Sequence, residues 1–337
     1  MSSESAPAAD FDVVCIGNAI VDVLTQNDDA TLARLGLTKG SMSLIDAEAA
    51  EQLYKELGPG IETSGGSAGN TAAGLASLGA ECAYIGRVRD DQLGEIFIHD
   101  IRSVGAEFTT APATSGPPTA RCLILITPDA ERTMSTFLGA CADLGPDDID
   151  DDLIGRAKVT YLEGYLWDRD AAKQAFFKAA RLAHAAGRMT ALTLSDSFCV
   201  DRHRDSFRDL ISKHIDILFA NEAEILSLYE VDNFDAALQH ARDDCAVAAL
   251  TRSEKGSVII AGDEVHVVDA EPVAKVIDTT GAGDQFAAGF LYGYTRGDDL
   301  ALCGRIGGLA AAEVISHVGP RPQVSLSGLV EARLSAR

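Results

Sequence analysis

Between Lys158 and Ala220 the chain repeats one unit, a short apolar run followed by a longer amphipathic one. Val159 to Leu162, Met189 to Leu194 and Ile217 to Ala220 are strand-like, and Ala171 to Ala186 and Arg204 to His214 carry helical spacing between them. Strands joined through helices are parallel, and a parallel sheet needs helices over both faces. The expected fold class is therefore α/β, a three-layer α/β/α domain around a mostly parallel central sheet. Phe11 to Gly17 and Ala83 to Gly86 supply further buried strands upstream, with helices at Ala47 to Leu57, Thr71 to Leu78 and Asp91 to Val104. Downstream, Val247 to Leu250 is followed by a hairpin, Ser257 to Ile260 with Glu264 to Val268, and by helices Gln285 to Thr295 and Leu300 to Val318.

Two stretches break the rhythm. Residues 107–138 are Thr-, Ala- and Pro-rich to Pro118, then strongly strand-like from Arg121 to Ile126, with a turn at Pro128-Asp129-Ala130-Glu131. That is hairpin material. With the short alternating segment Ser41 to Ile45 it predicts a small second sheet, a lid that would keep water from a reacting group. The expected division is 11–23, 47–106 and 139–325 for the main domain and 24–46 with 107–138 for the lid, and residues 1–10 are expected to be disordered.

The formal net charge of −23 over 337 residues argues against a nucleic-acid or anionic-membrane partner. No window reaches the roughly 18 apolar residues of a membrane span. Met1 to Asp10 lacks the basic and apolar regions of a secretion signal. Seven scattered cysteines, with no C-x-x-C pair and no histidines at zinc spacing, are those of reduced core thiols in a cytoplasmic protein.

The chemistry is concentrated in Asp278-Thr279-Thr280-Gly281-Ala282-Gly283-Asp284, which opens a helix. Helix N-terminal amides suit a phosphate, but a carboxylate among them would repel it. General-base duty toward a hydroxyl gives Asp284 a reason to be there. A dinucleotide turn or ordinary capping are the alternatives; a Rossmann turn, however, usually follows the first strand of its domain. A second glycine loop, Ser64-Gly65-Gly66-Ser67-Ala68-Gly69-Asn70, also opens a helix, and Asn70 offers donor and acceptor to a diol. Strand ends add Asn18 and Asp22, Tyr165 and Leu166 before the only tryptophan, Trp167, and Asn221 with Glu224. Asn221 reads as a helix cap and Asn18 as a turn residue equally well. Glu224, one turn into that helix, is placed to hold Mg2+ through water, while Thr251 and Gly256 could border a nucleotide. Gly308 lies on a smooth helix face that suits either close packing or a flat adenine.

Together these residues resemble the ribokinase-like (PfkB) carbohydrate and nucleoside kinases, from Gly17 to about Pro322. The resemblance implies that Asp284 deprotonates a primary alcohol attacking the γ-phosphate of ATP, with the amides of Gly281, Ala282 and Gly283 as anion hole. It implies Asp22, Gly65, Gly66, Ser67 and Asn70 as sugar-binding groups. Asn221, Thr251, Gly256, Thr280 and Gly308 would contact ATP, although Ser253 stands where relatives often have glycine. Glu224 would serve Mg2+, and Asp278 with Thr280 a possible K+ site. The pattern is most similar to adenosine kinases, in which Asn18 and Asp22 would contact the nucleoside and Leu44, Cys122, Phe137, Tyr165 and Leu166 would clamp its base. Ribose, fructose or 2-keto-3-deoxygluconate kinase activity, or a non-catalytic nucleoside sensor, are the alternatives. A monomer and a homodimer both accord with the sequence.

Overall fold

The computed structural model describes residues 9–129 and 131–335; the disorder expected for the N-terminus falls, for residues 1–8, outside them. Thirteen strands are present among the described residues: β1 Phe11–Ile16, β2 Ile20–Gln26, β3 Met42–Leu44, β4 Ile61–Ser64, β5 Cys82–Ile85, β6 Ala120–Ile126, β7 Arg132–Phe137, β8 Ala157–Glu163, β9 Met189–Thr193, β10 Ile217–Asn221, β11 Val247–Thr251, β12 Ser257–Ala261 and β13 Glu264–Val268.

Eight of them form the main sheet in the order β13-β12-β11-β10-β9-β8-β1-β5. The pairings from β5 to β11 are parallel, and the β11 to β13 meander is antiparallel. Alternation along β1 shows why helices must cover both faces. Val13 and Cys15 enter one core with the helices Ser67–Leu78 and Ala282–Arg296, while Val14 and Ile16 enter the other with Asp170–Ala185 and Ser197–His214.

The span Ser197–His214 is broken at His203, whose φ of −128° and ψ of 17° are not helical, so the expected helix from Arg204 follows a short first segment that Asp196 caps by accepting from the Cys199 amide at 2.6 Å. The helix expected to reach Val318 ends at Val314, ahead of a turn in which Gly319 has φ of 110°. Trp167 is core, 1% exposed, with its indole N–H on Ser206 Oγ at 2.8 Å.

The second sheet has five strands in the order β3-β7-β6-β2-β4. The expected hairpin is β6 and β7, antiparallel, with β3 on its edge. Two strands were not legible as part of it, β2 and β4, which lie inside the segments assigned from sequence partly or wholly to the main domain. The chain passes from one sheet to the other at residues 17–19, between β1 and β2, and again after β4 at Gly65-Gly66. Both crossings border the site.

Candidate active site

A cavity of about 720 Å³ lies at the C-terminal ends of the parallel strands, where open α/β sheets place ligands. Its floor is built from strand termini, namely Asn18 after β1, Glu163 ending β8, Thr193 ending β9, Asn221 ending β10 and Thr251 ending β11.

At one end stands the loop Thr279–Asp284, opening the helix Ala282–Arg296 with no side-chain cap on its first turn. Gly281 has φ of 80°, and a Cβ there would lie 2.6 Å from Pro320 O, so only glycine serves. The Asp284 carboxylate faces the cavity. Oδ1 accepts from Ser67 Oγ at 2.6 Å and Oδ2 from Asn70 Nδ2 at 2.9 Å. Burial lifts its pKa to about 6, although those two hydrogen bonds pull the other way. Of the three amides expected in the anion hole, that of Ala282 donates to Thr279 O at 3.2 Å in this conformation.

The second glycine loop lies opposite. Gly66, with φ of 83°, caps the helix Ser67–Leu78 and passes so close to Asn18 O that a Cβ would clash at 2.2 Å. This close approach delivers Ser67 and Asn70 to Asp284. Asn70 Oδ1 is buried and has no hydrogen-bond partner among the described residues. The Asp22 carboxylate lies against Gly65, 2.4 Å from where a Cβ would sit; burial raises its pKa to about 6, with Arg321 and Arg132 opposing. Neither Asp22 nor Gly65 is among the residues lining the cavity itself.

Glu163 escaped the sequence reading. It is 1% exposed and accepts from Asn18 Nδ2 at 2.6 Å, from Asn18 N at 3.3 Å and from Ala68 N at 2.9 Å, tying the β1 end to the second glycine loop. Burial lifts its pKa to about 7 against those donors. The available signal was a carboxylate closing an apolar strand, Val159 to Leu162.

The second sheet contributes an apolar wall: Ile20, Met42, Leu44, Cys122, Met134 and Leu138 all line the cavity. Leu44 is 61% exposed and Met42 52% exposed, large apolar side chains open to solvent. Tyr165 and Phe198 face this wall from the main domain, and Phe198 is 74% exposed. Beside them Ser195 has φ of 73° and accepts from the Tyr165 amide at 3.1 Å. Leu166, expected in this slot, is instead 3% exposed within the core, because the 3-10 turn Gly164–Asp168 points Tyr165 outward and Leu166 inward. Phe137 is half-buried on β7 and does not line the cavity.

Asn221 and Glu224 form a reciprocal capping box: Glu224 N donates to Asn221 Oδ1 at 2.9 Å, while Asn221 N and Nδ2 donate to Glu224 at 2.9 and 2.6 Å. Both line the cavity, and burial raises the Glu224 pKa to about 7. Thr251 and Thr280 also line it. Gly256 packs on the main chain of Val268 to Ala270, and Gly308 faces Glu271, both away from the cavity.

Asp278 accepts three hydrogen bonds and forms one ion pair. Oδ1 takes Thr280 N and Oγ1 at 3.0 and 2.7 Å, and Oδ2 takes Gly319 N at 2.9 Å and pairs with Arg132 of β7 at 2.6 Å. Burial works to raise its pKa, but these donors outweigh it and hold the group below the usual carboxylate range. Asp278 joins the second sheet to the glycine loop. Among the described residues no group of three or more His, Cys, Asp or Glu side chains is placed to hold a metal ion, and no helix is long and apolar enough to cross a membrane.

A parallel sheet with an uncapped helix N-terminus and a carboxylate at its mouth, covered by a small second sheet, defines a kinase of the ribokinase-like fold. Residues 37–325 match the family model for pfkB family carbohydrate kinases, and the chain belongs to that family. It is 55% identical to a structure described as adenosine kinase from Sinorhizobium meliloti, with a TM-score of 0.88 and coverage of 97% of this chain and 100% of that one. It is 54% identical, also at TM-score 0.88 and over 97% of this chain and 99% of that one, to a probable sugar kinase protein from Rhizobium etli CFN 42. The adenosine kinase of Saccharomyces cerevisiae is 28% identical over 330 residues, covering 91% of this chain and 96% of that protein. The protein is thus a phosphotransferase with an alcohol group as acceptor.

Proposed function

We propose that this kinase transfers the γ-phosphate of ATP to the primary hydroxyl of a nucleoside, adenosine first, with Asp284 as general base. The observation that carries this reading is the two-sidedness of the cavity. One end offers helix amides and a carboxylate lifted to about pKa 6, and the other an apolar slot between Leu44, Met134 and Tyr165. A free sugar would set hydroxyls against those apolar walls without partners for them. A purine would cover them, leaving its ribose over Asn18, Gly66 and Asn70, where the unpartnered Asn70 Oδ1 can accept a hydroxyl proton. The similarity to proteins described as adenosine kinases supports the same acceptor.

In this mechanism Ser67 and Asn70 orient Asp284 so that it takes the proton of the attacking hydroxyl as the bond to phosphorus forms. The amides of Gly281 and Gly283 stabilise charge on the transferring phosphoryl group. The second sheet, acting as a lid through residues of β2, β3, β6 and β7, excludes water from it.

The residues fit a hydrated Mg2+. Each Glu224 oxygen already accepts one Asn221 donor and keeps one acceptor position for a metal-bound water. Bound with ATP, Mg2+ would offset phosphate charge within a protein of net charge −23. The seven unpaired cysteines, six of them buried, suit work in a reducing cytoplasm.

The test is ADP release with adenosine, inosine, ribose, fructose and 2-keto-3-deoxygluconate, each with MgATP. Preference for adenosine is expected. A higher kcat/KM for any free sugar overturns the acceptor assignment, and tight nucleoside binding without turnover of any acceptor overturns the enzymatic one.

A further inference from the structure

Three consecutive residues, Gly319, Pro320 and Arg321, touch both halves of the site without lining the cavity. Gly319 N donates to Asp278 Oδ2 at 2.9 Å. Pro320 lies over Gly281 and its carbonyl accepts from Gln285 Nε2 at 3.0 Å, the same nitrogen that donates to Asn70 O at 2.9 Å. Gln285 is fully buried, so this pair of bonds is shielded from water.

Arg321 reaches the other way. Nη2 donates to Ser64 Oγ at 2.6 Å and Nη1 to Asp100 Oδ2 at 2.9 Å. Asp100, on the helix Gln92–Ser103, also accepts from Ser64 N at 2.7 Å, from Ser64 Oγ and from Thr63 Oγ1 at 3.1 Å. The Ser64 hydroxyl thus accepts from Arg321 while it donates to Asp100. The next residues are Gly65 and Gly66, then Ser67 and Asn70, whose side chains hold Asp284.

We propose that Arg321, acting with Asp100, is a positioning residue for phosphoryl transfer. It fixes the segment 64–70, with its acceptor-side groups and its two donors to Asp284, against the loop Thr279–Asp284. The proposal rests on the assignment of Asp284 as base. A flat, two-pronged guanidinium is required, because one nitrogen must reach Ser64 and another Asp100 at the same time; a lysine ammonium on a flexible stem cannot reproduce that fork. The strap is anchored to the glycine loop separately, through Gly319 and Pro320. Loosening Arg321 therefore displaces the acceptor side and leaves the nucleotide side in place.

The experiment compares Arg321→Lys, Asp100→Asn, Ser64→Ala and the Arg321→Lys/Asp100→Asn double variant with wild type by steady-state kinetics, MgATP calorimetry without acceptor, and thermal unfolding. Arg321→Lys should lose roughly 10- to 100-fold in kcat, the scale of a sub-ångström to 1 Å misplacement at a reacting centre. The acceptor KM should rise while the Kd for MgATP stays at the wild-type value. The double variant should be no worse than the poorer single one, since both break the same link. Ser64→Ala, which removes one hydroxyl and keeps the main-chain bond to Asp100, should show the same split at smaller size, and it decides the matter if Arg321→Lys does not fold.

Wild-type kcat and acceptor KM in Arg321→Lys, additive losses in the double variant, or equal loss of acceptor and MgATP affinity in step with Tm would each overturn the proposal. Asp284→Asn measured alongside separates the two readings. An active Asp284→Asn removes the base assignment, whereas an inactive one beside a wild-type Arg321→Lys removes only the positioning role.

Discussion

Asn70 Nδ2 lies 2.9 Å from Asp284 Oδ2, joining residues 214 positions apart, while the same amide keeps Oδ1 without a partner among the described residues. One end of the side chain holds the carboxylate and, in the proposed mechanism, the other receives the acceptor.

Asp284→Asn preserves shape and both neighbours but removes the base. Turnover should fall by roughly 10²–10⁴, the usual scale for a lost general base. Circular dichroism should be unchanged. Near-wild-type turnover would assign proton removal elsewhere.

As the proposed base, Asp284 would set the acid limb of activity. Asp284 must be ionised to act, so kcat/KM for the acceptor should decline as pH falls through about 6, the value to which burial lifts it. Asp22, pushed by burial to about 6 as well, titrates in the same range and contributes to the same limb if it holds the acceptor. A profile flat to pH 4.5 would contradict this.

Stability should move in the opposite sense. Asp22 and Asp284 near 6, and Glu163 and Glu224 near 7, all stand above ordinary carboxylate values. The folded state therefore binds protons more tightly than the unfolded one. The stabilisation from these groups is present below the unfolded pKa of about 4 and is lost as pH rises through 6 to 7. Without ligands, the Asp284→Asn variant should unfold about 2–5 °C above wild type at pH 8, with the gain shrinking at pH 5. Equal Tm values at both pH values would show that the carboxylate carries no such cost.

Leu44→Ala probes the apolar slot. Leu44 is 61% exposed without ligand, so its loss should barely change Tm, while the KM for adenosine should rise about tenfold, the equivalent of roughly 1.4 kcal/mol of lost apolar contact. The KM for MgATP should hold. An unchanged adenosine KM would take Leu44 out of the base slot.

Gly281→Ala should fold with difficulty, because φ of 80° disfavours any Cβ and Pro320 fills the space it would need. A loss of about 1–3 kcal/mol is expected from denaturant midpoints. In the folded fraction kcat should drop with little change in adenosine affinity by calorimetry. Retained kcat would remove Gly281 from phosphate stabilisation.

What was legible in the sequence follows the range of the interactions. Period-two and period-3.6 patterns are local, so the strands Phe11 to Ile16 and Ile217 to Asn221 and the two glycine loops could be read directly. Sheet membership is not local. Nothing in Ile61–Ser64 announces that it pairs antiparallel with β2 rather than joining the main sheet. Glu163 was hidden for the same reason, since its three donors come from Asn18 and Ala68. Tyr165 and Leu166 looked alike from sequence, and a single 3-10 turn decides which one faces the cavity. The partners of Asp278 were hidden likewise, since Arg132 and Gly319 lie far away along the chain.

The division of labour between the two sheets bears on how such a protein diversifies. The groups proposed to do the chemistry sit on the main sheet and its helices, whereas most of the wall against which the acceptor would rest hangs from β2, β3, β6 and β7. Mutation can therefore redraw that wall, exchanging leucine and methionine for polar residues, while leaving the engine beneath it unaltered. A single ancestral scaffold with this layout can yield descendants for many alcohols, each differing chiefly in what lines the roof.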